Sequence, residues 1–346
     1  MLFLFCCIFV VVPCRVLYNE FIYSKVLLPI ETNFSLVWPV VQPKLPTQEE
    51  KQFFLVVMVN SWATGQKHRL LRKIIRITWG LSEVNVQQHQ KWKLFFSLGL
   101  SENLGDHKQN LQEASHYNDV IIGDFLDTYN NLIIKTFMTL YWTSTGITCQ
   151  YLLKTDDDVF VRVPKVVHWL QKEGFPKPLY GGVISPHQNV SRNPSGKWRL
   201  TKEQYSEDIF PPFCYGAFYV ISTDTIPKII NYTTIRKPFH TDDAYVAVAL
   251  SHYGVNAIRI PGFDFKHPFE DRTRVELICA TAMAHQLDFS TMLKYQGFYQ
   301  NAITSEMKQI TCSGCRGVHK STIYCCLLTI GSVIITVILY PSIFLS

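Results

Sequence analysis

Short apolar runs alternate with longer amphipathic segments in the first half of this chain, and this alternation limits the folds open to it. The apolar runs cover residues 52–60, 93–99, 118–125 and 151–154. Their continuous hydrophobicity is typical of strands buried on both faces. Residues 68–79 and 130–144 instead carry apolar side chains at helical spacing. Strands and helices alternating at these lengths predict an α/β fold with a mostly parallel sheet and helices on both faces.

Three consecutive carboxylates, Asp156, Asp157 and Asp158, follow the last of these strands. Ligands of such sheets bind beyond the carboxyl ends of the strands. Neighbouring carboxylates repel one another unless a cation relieves the repulsion. Oxygen ligands suit Mg²⁺ or Mn²⁺, which can hold a diphosphate without the glycine-rich phosphate loops that this chain lacks. The pattern therefore favours a metal–diphosphate site, and its alternative is a solvated acidic turn.

A second acidic pair, Asp242 and Asp243, precedes the apolar sequence YVAVAL, which predicts a buried helix. Negative charge in the first helical turn is stabilised by the helix dipole, and this accounts for one of the two aspartates. The other is a candidate general base for an incoming hydroxyl. His285 is either a satisfied core or surface residue or a third metal ligand, and as a ligand it favours Mn²⁺ over Mg²⁺.

The two ends of the chain differ from its middle. The predicted parts are residues 1–20, a signal anchor or signal peptide; residues 21–50, a proline-containing stem or linker; residues 51–300, the globular domain; residues 301–322, a linker with the Cys312–Cys315 pair; and residues 323–345, a candidate transmembrane segment. The last segment is uncharged and exceeds the roughly 20 residues that a bilayer span requires. The cysteine pair is a zinc half-site, a redox pair or a structural or unpaired element.

The sequence features that indicate a cellular compartment disagree with one another. Sequons at Asn33, Asn189 and Asn231 favour a lumenal middle region, and the remaining cysteines allow one or two disulfides there. Arg316 and Lys320 precede the C-terminal apolar segment, which by the charge rule places its upstream side in the cytosol. A net charge of +6 without a dense basic block argues against nucleic-acid binding.

Six motifs, in order from about residue 52 to 295, resemble those of the β-1,3-galactosyltransferase and N-acetylglucosaminyltransferase family, glycosyltransferase family 31. They are LLRKIIRITWG, DFLDTYNNLIIKT, LLKTDDDVFV, KWRLTKEQYSEDIFPPFCYGAFYVIS, TDDAYVAVAL and ICATAMAHQLDFSTM. The resemblance implies a GT-A fold, with a Rossmann-like nucleotide half, as the catalytic domain over residues 51–300. It also implies a hexosyltransferase of the Golgi membrane, of type II topology, with a lumenal catalytic domain.

The resemblance also implies roles for individual residues. They are Asp243 as catalytic base; Asp156, Asp157, Arg72 and Arg76 at the donor; and Asp158 and His285 at Mn²⁺, with Mg²⁺ as an alternative. The implied reaction moves a hexose with inversion from a UDP-sugar to a glycan hydroxyl on a glycoprotein or glycolipid, forming a β-1,3 linkage. Galactose is the first expectation. The alternatives are UDP-N-acetylglucosamine as donor, or a non-catalytic chaperone or binding relative.

The chain departs from the family pattern at four positions. Tyr215 and Ala217 stand where small residues normally line the sugar site, Ala247 replaces a glycine and Asp288 replaces a proline. These changes bear on which donor sugar is used and on how efficiently it is transferred. They leave the implied metal and base positions unchanged.

Overall fold

A computed structural model describes residues 35–81, 90–264, 281–283 and 287–305. The strands are β1 (Pro39–Val41), β2 (Gln52–Asn60), β3 (Trp92–Leu100), β4 (Val120–Leu126), β5 (Thr148–Asp156), β6 (Phe160–Val161), β7 (Tyr180–Ser185), β8 (Gln188–Asn189), β9 (Ile209–Phe210), β10 (Phe213–Ser222), β11 (Ile258–Arg259), β12 (Phe263–Asp264) and β13 (Ala282–Met283). The α-helices are α1 (Gln66–Ile77), α2 (Leu104–Tyr117), α3 (Leu132–Thr145), α4 (Val163–Lys172), α5 (Ile226–Asn231), α6 (Asp242–His252) and α7 (Phe289–Ser305).

Several predictions fall on residues outside these ranges. They are the signal anchor over residues 1–20, the sequon at Asn33, the metal ligand His285, the Cys312–Cys315 pair and the transmembrane segment over residues 323–345. Within the described ranges, no helix combines the length and hydropathy that a membrane span requires.

The central sheet has the strand order β1-β4-β3-β2-β5-β10-β7-β11 in the described part of the chain. Strands β4, β3, β2 and β5 run parallel to one another, and β11 runs parallel to β7. The pairings of β1 with β4 and of β10 with β5 and β7 are antiparallel. The predicted α/β class with a mostly parallel sheet and helices on both faces is confirmed.

Two hydrophobic cores lie on opposite faces of this sheet. Side chains of a strand alternate between faces, so Leu55 and Val57 belong to one core while Val56 and Met58 belong to the other. Helices α1, α2, α4 and α7 contribute to the first core, and α3, α5 and α6 to the second. Because both faces are covered, the central strands are apolar throughout, which is the pattern that the sequence showed.

Some boundaries differ from the predicted ones. The predicted stem over residues 21–50 ends within the fold, because Pro39–Val41 form the edge strand β1 against β4. Proline is tolerated at an edge, where its missing N–H costs no ladder hydrogen bond. Helix α7 extends to Ser305, past the predicted domain end at residue 300. Helix α2 was not predicted, because only Asn110 and Ala114 are buried and it has little apolar periodicity.

The parallel strands bring their carboxyl ends to one edge of the sheet. Asn60, the last residue of β2, pairs with Asp156, the last residue of β5. The segments that follow β2, β4 and β5 therefore emerge at the same edge of the sheet. The acidic triplet belongs to this edge, as the sequence predicted.

Candidate active site

The acidic triplet is divided between two environments. Asp157 is buried, and its Oδ2 accepts a hydrogen bond from the Ser61 hydroxyl at 2.6 Å. The same oxygen lies 2.8 Å from the His68 Nδ1. Asp156 and Asp158 are only partly buried. Asp157 therefore anchors the triplet to the segment after β2 and to α1, while its two neighbours stay accessible.

Asp156 is paired with a buried lysine. The Lys154 Nζ lies 2.8 Å from the Asp156 Oδ1 and also donates to the carbonyl of Gly216 on β10. Burial raises the pKa of Asp156 to about 7, the Lys154 ammonium opposes that rise, and the nearby Asp158 carboxylate adds to it. The Asp156 side chain keeps 37% of its surface exposed, so water moderates the effect. The triplet thus carries negative charge that one lysine only partly offsets.

A buried amide lies beside this carboxylate. Asn60 is 6% exposed, and neither polar atom of its side chain has a hydrogen-bond partner among the described residues. Buried polar atoms without partners are costly in a folded protein. Asn60 is therefore available to a ligand at the edge where Asp156 ends its strand.

The second acidic pair begins α6, and its members have different surroundings. Asp242 is buried and accepts a hydrogen bond from the Thr136 hydroxyl on α3 at 2.7 Å. Asp243 is partly exposed, and its two carboxylate oxygens accept hydrogen bonds from the backbone N–H groups of Gly216 and Ala244 at 2.9 and 2.8 Å. Asp242 thus fastens the helix start to α3, while Asp243 is held in place with one side open.

The surroundings of Asp243 favour its neutral form more than water would. Burial and the adjacent Asp242 carboxylate raise the pKa of Asp243 to about 6, although its two backbone hydrogen bonds and Lys154 oppose the rise. A carboxylate with such a pKa accepts a proton more readily than an ordinary aspartate and is still ionised near neutral pH. A Cβ at Gly216 would lie 3.3 Å from the Asp243 Oδ2, so the strand leaves room for nothing larger than glycine without pressing on this carboxylate.

The two arginines predicted at the donor are bound within the protein. The Arg72 side chain has no exposed surface; it pairs with Glu113 of α2 at 2.6 Å and donates to the Ser61 hydroxyl at 2.9 Å. Arg76 pairs with Glu113 at 2.7 Å and with Asp119 at 2.7 Å. These contacts favour structural roles over direct donor contact. Arg72 reaches the triplet only through Ser61, which in turn binds Asp157.

The chain on either side of the His285 position lies against the triplet. The backbone N–H of Leu287 donates to the carbonyl of Asp158 at 3.1 Å, and Met283 pairs with Phe160 through β13 and β6. His285 itself is outside the described residues. Within the described ranges, no three His, Cys, Asp or Glu side chains are grouped to hold an ion. An oxygen of Asp158 with an imidazole nitrogen is a ligand set that suits Mn²⁺.

A buried ion pair supports the same edge and was not predicted. The Lys135 Nζ lies 2.7 Å from Asp127 and donates to the carbonyl of Ser61 at 2.7 Å. Asp127 also accepts hydrogen bonds from the backbone N–H groups of Ala63 and Gly99, each at 3.0 Å. Ser61 directly follows β2 and Asp127 directly follows β4, so their place after predicted strands was the signal that could have identified them.

Two departures from the family pattern have a local explanation. Asp288 precedes α7, and its Oδ1 accepts a hydrogen bond from the N–H of Thr291 at 2.7 Å, which is an N-cap contact. Ala247 is buried in α6, where alanine is a better helix former than glycine. Tyr215 packs edge-on against Phe213, with ring centroids 5.6 Å apart, and so takes part in the packing next to Gly216.

The fold and the site together define a class. An α/β sheet with an acidic cluster at its carboxyl edge, linked through Lys154 to the strand that positions a second carboxylate, is the arrangement of an enzyme that binds a ligand at this edge and moves a proton there.

Comparisons with known proteins agree with this class. The galactosyltransferase family model matches residues 71–261. The human β-1,3-galactosyltransferase 5 is 29% identical over 262 residues, which cover 75% of this chain and 83% of that protein. The gorilla β-1,3-galactosyltransferase 5 is 32% identical over 240 residues, covering 68% and 74%. The chain therefore belongs to the galactosyltransferase family, glycosyltransferase family 31, and the predicted class of enzyme, a hexosyltransferase, is confirmed.

Two further similarities were found. The mouse β-1,3-galactosyltransferase 2 is 31% identical over 261 residues, covering 73% of this chain and 60% of that protein. Among solved structures, an active-site mutant of LgtC is similar over 71% of this chain and 95% of its own, with 9% identity and a TM-score of 0.37.

Proposed function

We propose that this protein transfers galactose from UDP-galactose to a hydroxyl of a glycan acceptor, with inversion and with a divalent metal, forming a β-1,3 linkage. The observation that carries the proposal is the partly exposed Asp243, held by the backbone N–H groups of Gly216 and Ala244. Lys154 links it to the acidic triplet, because this side chain binds both Asp156 and the carbonyl of Gly216. Galactose is the preferred donor sugar because the relatives described above are named as galactosyltransferases.

Asp243 acts as the general base in this proposal. It takes the proton of the acceptor hydroxyl while that oxygen forms a bond to the anomeric carbon of the donor. The bond from that carbon to the phosphate oxygen breaks, and its electron pair leaves with the diphosphate. Attack from the side opposite the leaving group inverts the configuration at the anomeric carbon. A single displacement of this kind requires one base, and Asp242 is not available for it because it is buried against Thr136.

Asp158 and His285 would hold the metal, and Asp156 would hold the donor beside it. Bound Mn²⁺ would offset the charge that develops on the departing diphosphate. Burial is the main cause of the raised Asp156 pKa, and the Asp158 carboxylate adds to it; this proximity supports the assignment, because a cation would relieve the repulsion between the two carboxylates. The contact of Leu287 with Asp158 supports the choice of His285, which lies two positions earlier in the sequence.

A lumenal catalytic domain of a Golgi membrane protein is the setting that we propose. Two of the predicted sequons, Asn189 and Asn231, are exposed, as an acceptor of N-linked glycan must be. Their placement on the surface of the catalytic domain supports exposure of this domain to the secretory lumen.

Replacement of the proposed base tests the function directly. In Asp243→Asn the side chain can no longer take a proton, so transfer from UDP-galactose is expected to fall by at least about a hundredfold while UDP affinity stays near that of the parent. Transfer is measured by product formation and UDP binding by calorimetry. Asp224→Asn is the control, since this exposed aspartate follows β10 at the opposite edge of the sheet. Equal transfer rates in Asp243→Asn and the parent would remove Asp243 from the mechanism.

A further inference from the structure

An exposed aromatic group lies close to the proposed base. Trp198 is 56% exposed, the largest exposed fraction of any tryptophan in the chain. Its neighbours form what we call the acceptor platform. The acceptor platform consists of Tyr129, Lys197, Trp198 and His240. Tryptophan and tyrosine are enriched at interfaces, because each combines a large apolar ring with a hydrogen-bonding group.

The four residues are connected by a series of contacts. The Lys197 ammonium lies 4.2 Å from the centre of the Tyr129 ring and 5.8 Å from that of Trp198. The rings of Tyr129 and His240 have centroids 6.3 Å apart. The His240 Nε2 lies 3.2 Å from the carbonyl oxygen of Lys197. The acceptor platform therefore joins three separate parts of the chain into one surface.

The acceptor platform borders the catalytic edge of the sheet. Tyr129 follows β4, whose carboxyl end lies at the same edge as that of β5. His240 lies two residues before Asp242, where α6 begins. Burial and the carboxylates of Asp242 and Asp243 raise the pKa of Tyr129 to about 12, opposed in part by a hydrogen bond from Trp198. The Tyr129 hydroxyl thus stays protonated and lies within electrostatic reach of the proposed base.

The loop that carries Trp198 is fixed by its own hydrogen bonds. The N–H of Leu200 donates to the carbonyl of Ser191 at 3.0 Å, which closes the loop. The Arg192 guanidinium donates to four backbone carbonyls from residues 200–207. A surface that is ordered before the ligand arrives loses less conformational entropy on binding.

We propose that the acceptor platform binds the terminal sugar ring of the glycan acceptor, with the apolar face of the ring on the Trp198 indole. A hexose has an apolar C–H face and a rim of hydroxyl groups, and this combination matches an indole bordered by hydrogen-bonding side chains. Lys197, Tyr129 and His240 supply those polar groups, and the ring would lie next to Asp243, the group that receives its proton. This inference rests on the proposed galactosyltransferase function and adds the residues that select the acceptor.

Kinetics of the full-length chain with Mn²⁺ and UDP-galactose test the proposal. The acceptor probes are methyl β-glucoside, methyl β-galactoside and methyl N-acetyl-β-glucosaminide. Trp198→Ala is expected to raise the KM for the accepted sugar about tenfold or more. The KM for UDP-galactose and the slow hydrolysis of the donor without acceptor are expected to stay unchanged. Trp198→Phe should restore most of the acceptor affinity, because it keeps an aromatic face.

Tyr253→Ala is the matched control. Tyr253 is also an exposed aromatic next to a lysine, with the Lys228 ammonium 6.0 Å from its ring centre, but it follows the far end of α6. The acceptor KM of Tyr253→Ala should equal that of the parent. The proposal is overturned if the acceptor KM of Trp198→Ala lies within twofold of that of the parent. It is also overturned if the parent hydrolyses UDP-galactose but transfers galactose to none of the three sugar probes. A parent that neither transfers nor hydrolyses UDP-galactose contradicts the proposed function instead.

Discussion

Each of the two acidic groups in this protein combines one buried carboxylate with more accessible ones. Asp157 and Asp242 are buried and accept hydrogen bonds from the hydroxyls of Ser61 and Thr136. Asp156 and Asp243 keep part of their surface exposed. The buried member fixes the backbone, and in the second group the Asp242 charge also contributes to the raised pKa of Asp243. Adjacent aspartates therefore serve structure and chemistry at the same time.

This arrangement predicts a pH dependence. Because the Asp242 carboxylate helps to raise the pKa of Asp243 to about 6, kcat/KM for transfer should rise with pH and be half-maximal near pH 6. Asp242→Asn keeps an oxygen for the Thr136 hydroxyl but removes the negative charge, so the acid limb should move to lower pH. The pH profiles of the two proteins are compared under saturating metal.

Folding stability should show the same linkage. A raised pKa in the folded state means that the protonated Asp243 stabilises the fold at low pH and that this stabilisation is lost as pH rises through about 6. Asp242→Asn should make that loss smaller. If the acid limb of the kcat/KM profile stays at the same pH in Asp242→Asn, or moves to higher pH, Asp242 does not control the Asp243 pKa.

The acidic residues that the sequence singled out lie at the ends of apolar runs. Asp156 lies at the end of β5, and Asp243 lies in the first turn of α6, because burial patterns fix where those elements begin and end. Arg72 and Arg76 were assigned to the donor, but they bind Glu113, which lies on α2. A sequence does not show that an arginine has a carboxylate partner 37 or 41 positions away.

At the scale of elements, the alternating apolar and amphipathic segments were enough to predict the central strands and helices α1 and α3. Elements that bury few apolar side chains were not predicted from the sequence. Helix α2 buries only Asn110 and Ala114, and β1 is a three-residue edge strand with a proline. Such elements are specified by their tertiary contacts, which leave little periodicity in the sequence.

The buried Lys135–Asp127 pair joins several of these elements, which predicts a large effect on stability. Lys135→Met keeps the length of the side chain but leaves Asp127 buried without its cation, and this should lower the free energy of unfolding by about 3–5 kcal/mol. Denaturant unfolding measures the change. The control is Lys73→Met on an exposed position of α1, which should stay within about 0.5 kcal/mol of the parent.

The double variant Lys135→Met with Asp127→Asn completes the test. If the pair acts as a unit, the double variant should be more stable than the sum of the two single effects predicts. Equal stability of Lys135→Met and Lys73→Met would show that this ion pair does not hold the segments after β2 and β4.

At the scale of the whole molecule, the residues that stabilise the fold lie on the two faces of the sheet, and the proposed site lies at its carboxyl edge. Two apolar cores cover its faces, while the carboxyl edge of β2, β4 and β5 carries the polar side chains that we assign to the donor and the acceptor. The apolar pattern of the strands predicted this separation. The acceptor platform was beyond prediction, because Tyr129, Trp198 and His240 meet only through loops whose paths depend on the finished fold.

The proposed metal dependence also belongs to this scale, since the proposed ligands Asp158 and His285 come from distant parts of the chain. If Asp158 holds the cation, Asp158→Ala should weaken UDP binding in Mn²⁺ and change little in EDTA. Asp224→Ala removes the same charge at the opposite edge of the sheet and should leave UDP binding unchanged in both conditions. An equal loss for Asp158→Ala in Mn²⁺ and in EDTA would indicate a structural role for this aspartate.

The most direct test of the central claim is calorimetric titration of the parent protein with UDP, once with Mn²⁺ and once with EDTA. Clustered carboxylates at the sheet edge that bind a cation, which in turn binds the diphosphate, predict measurable affinity with Mn²⁺ and its loss in EDTA. Absence of UDP binding at every Mn²⁺ concentration, or equal affinity in EDTA, would contradict the account.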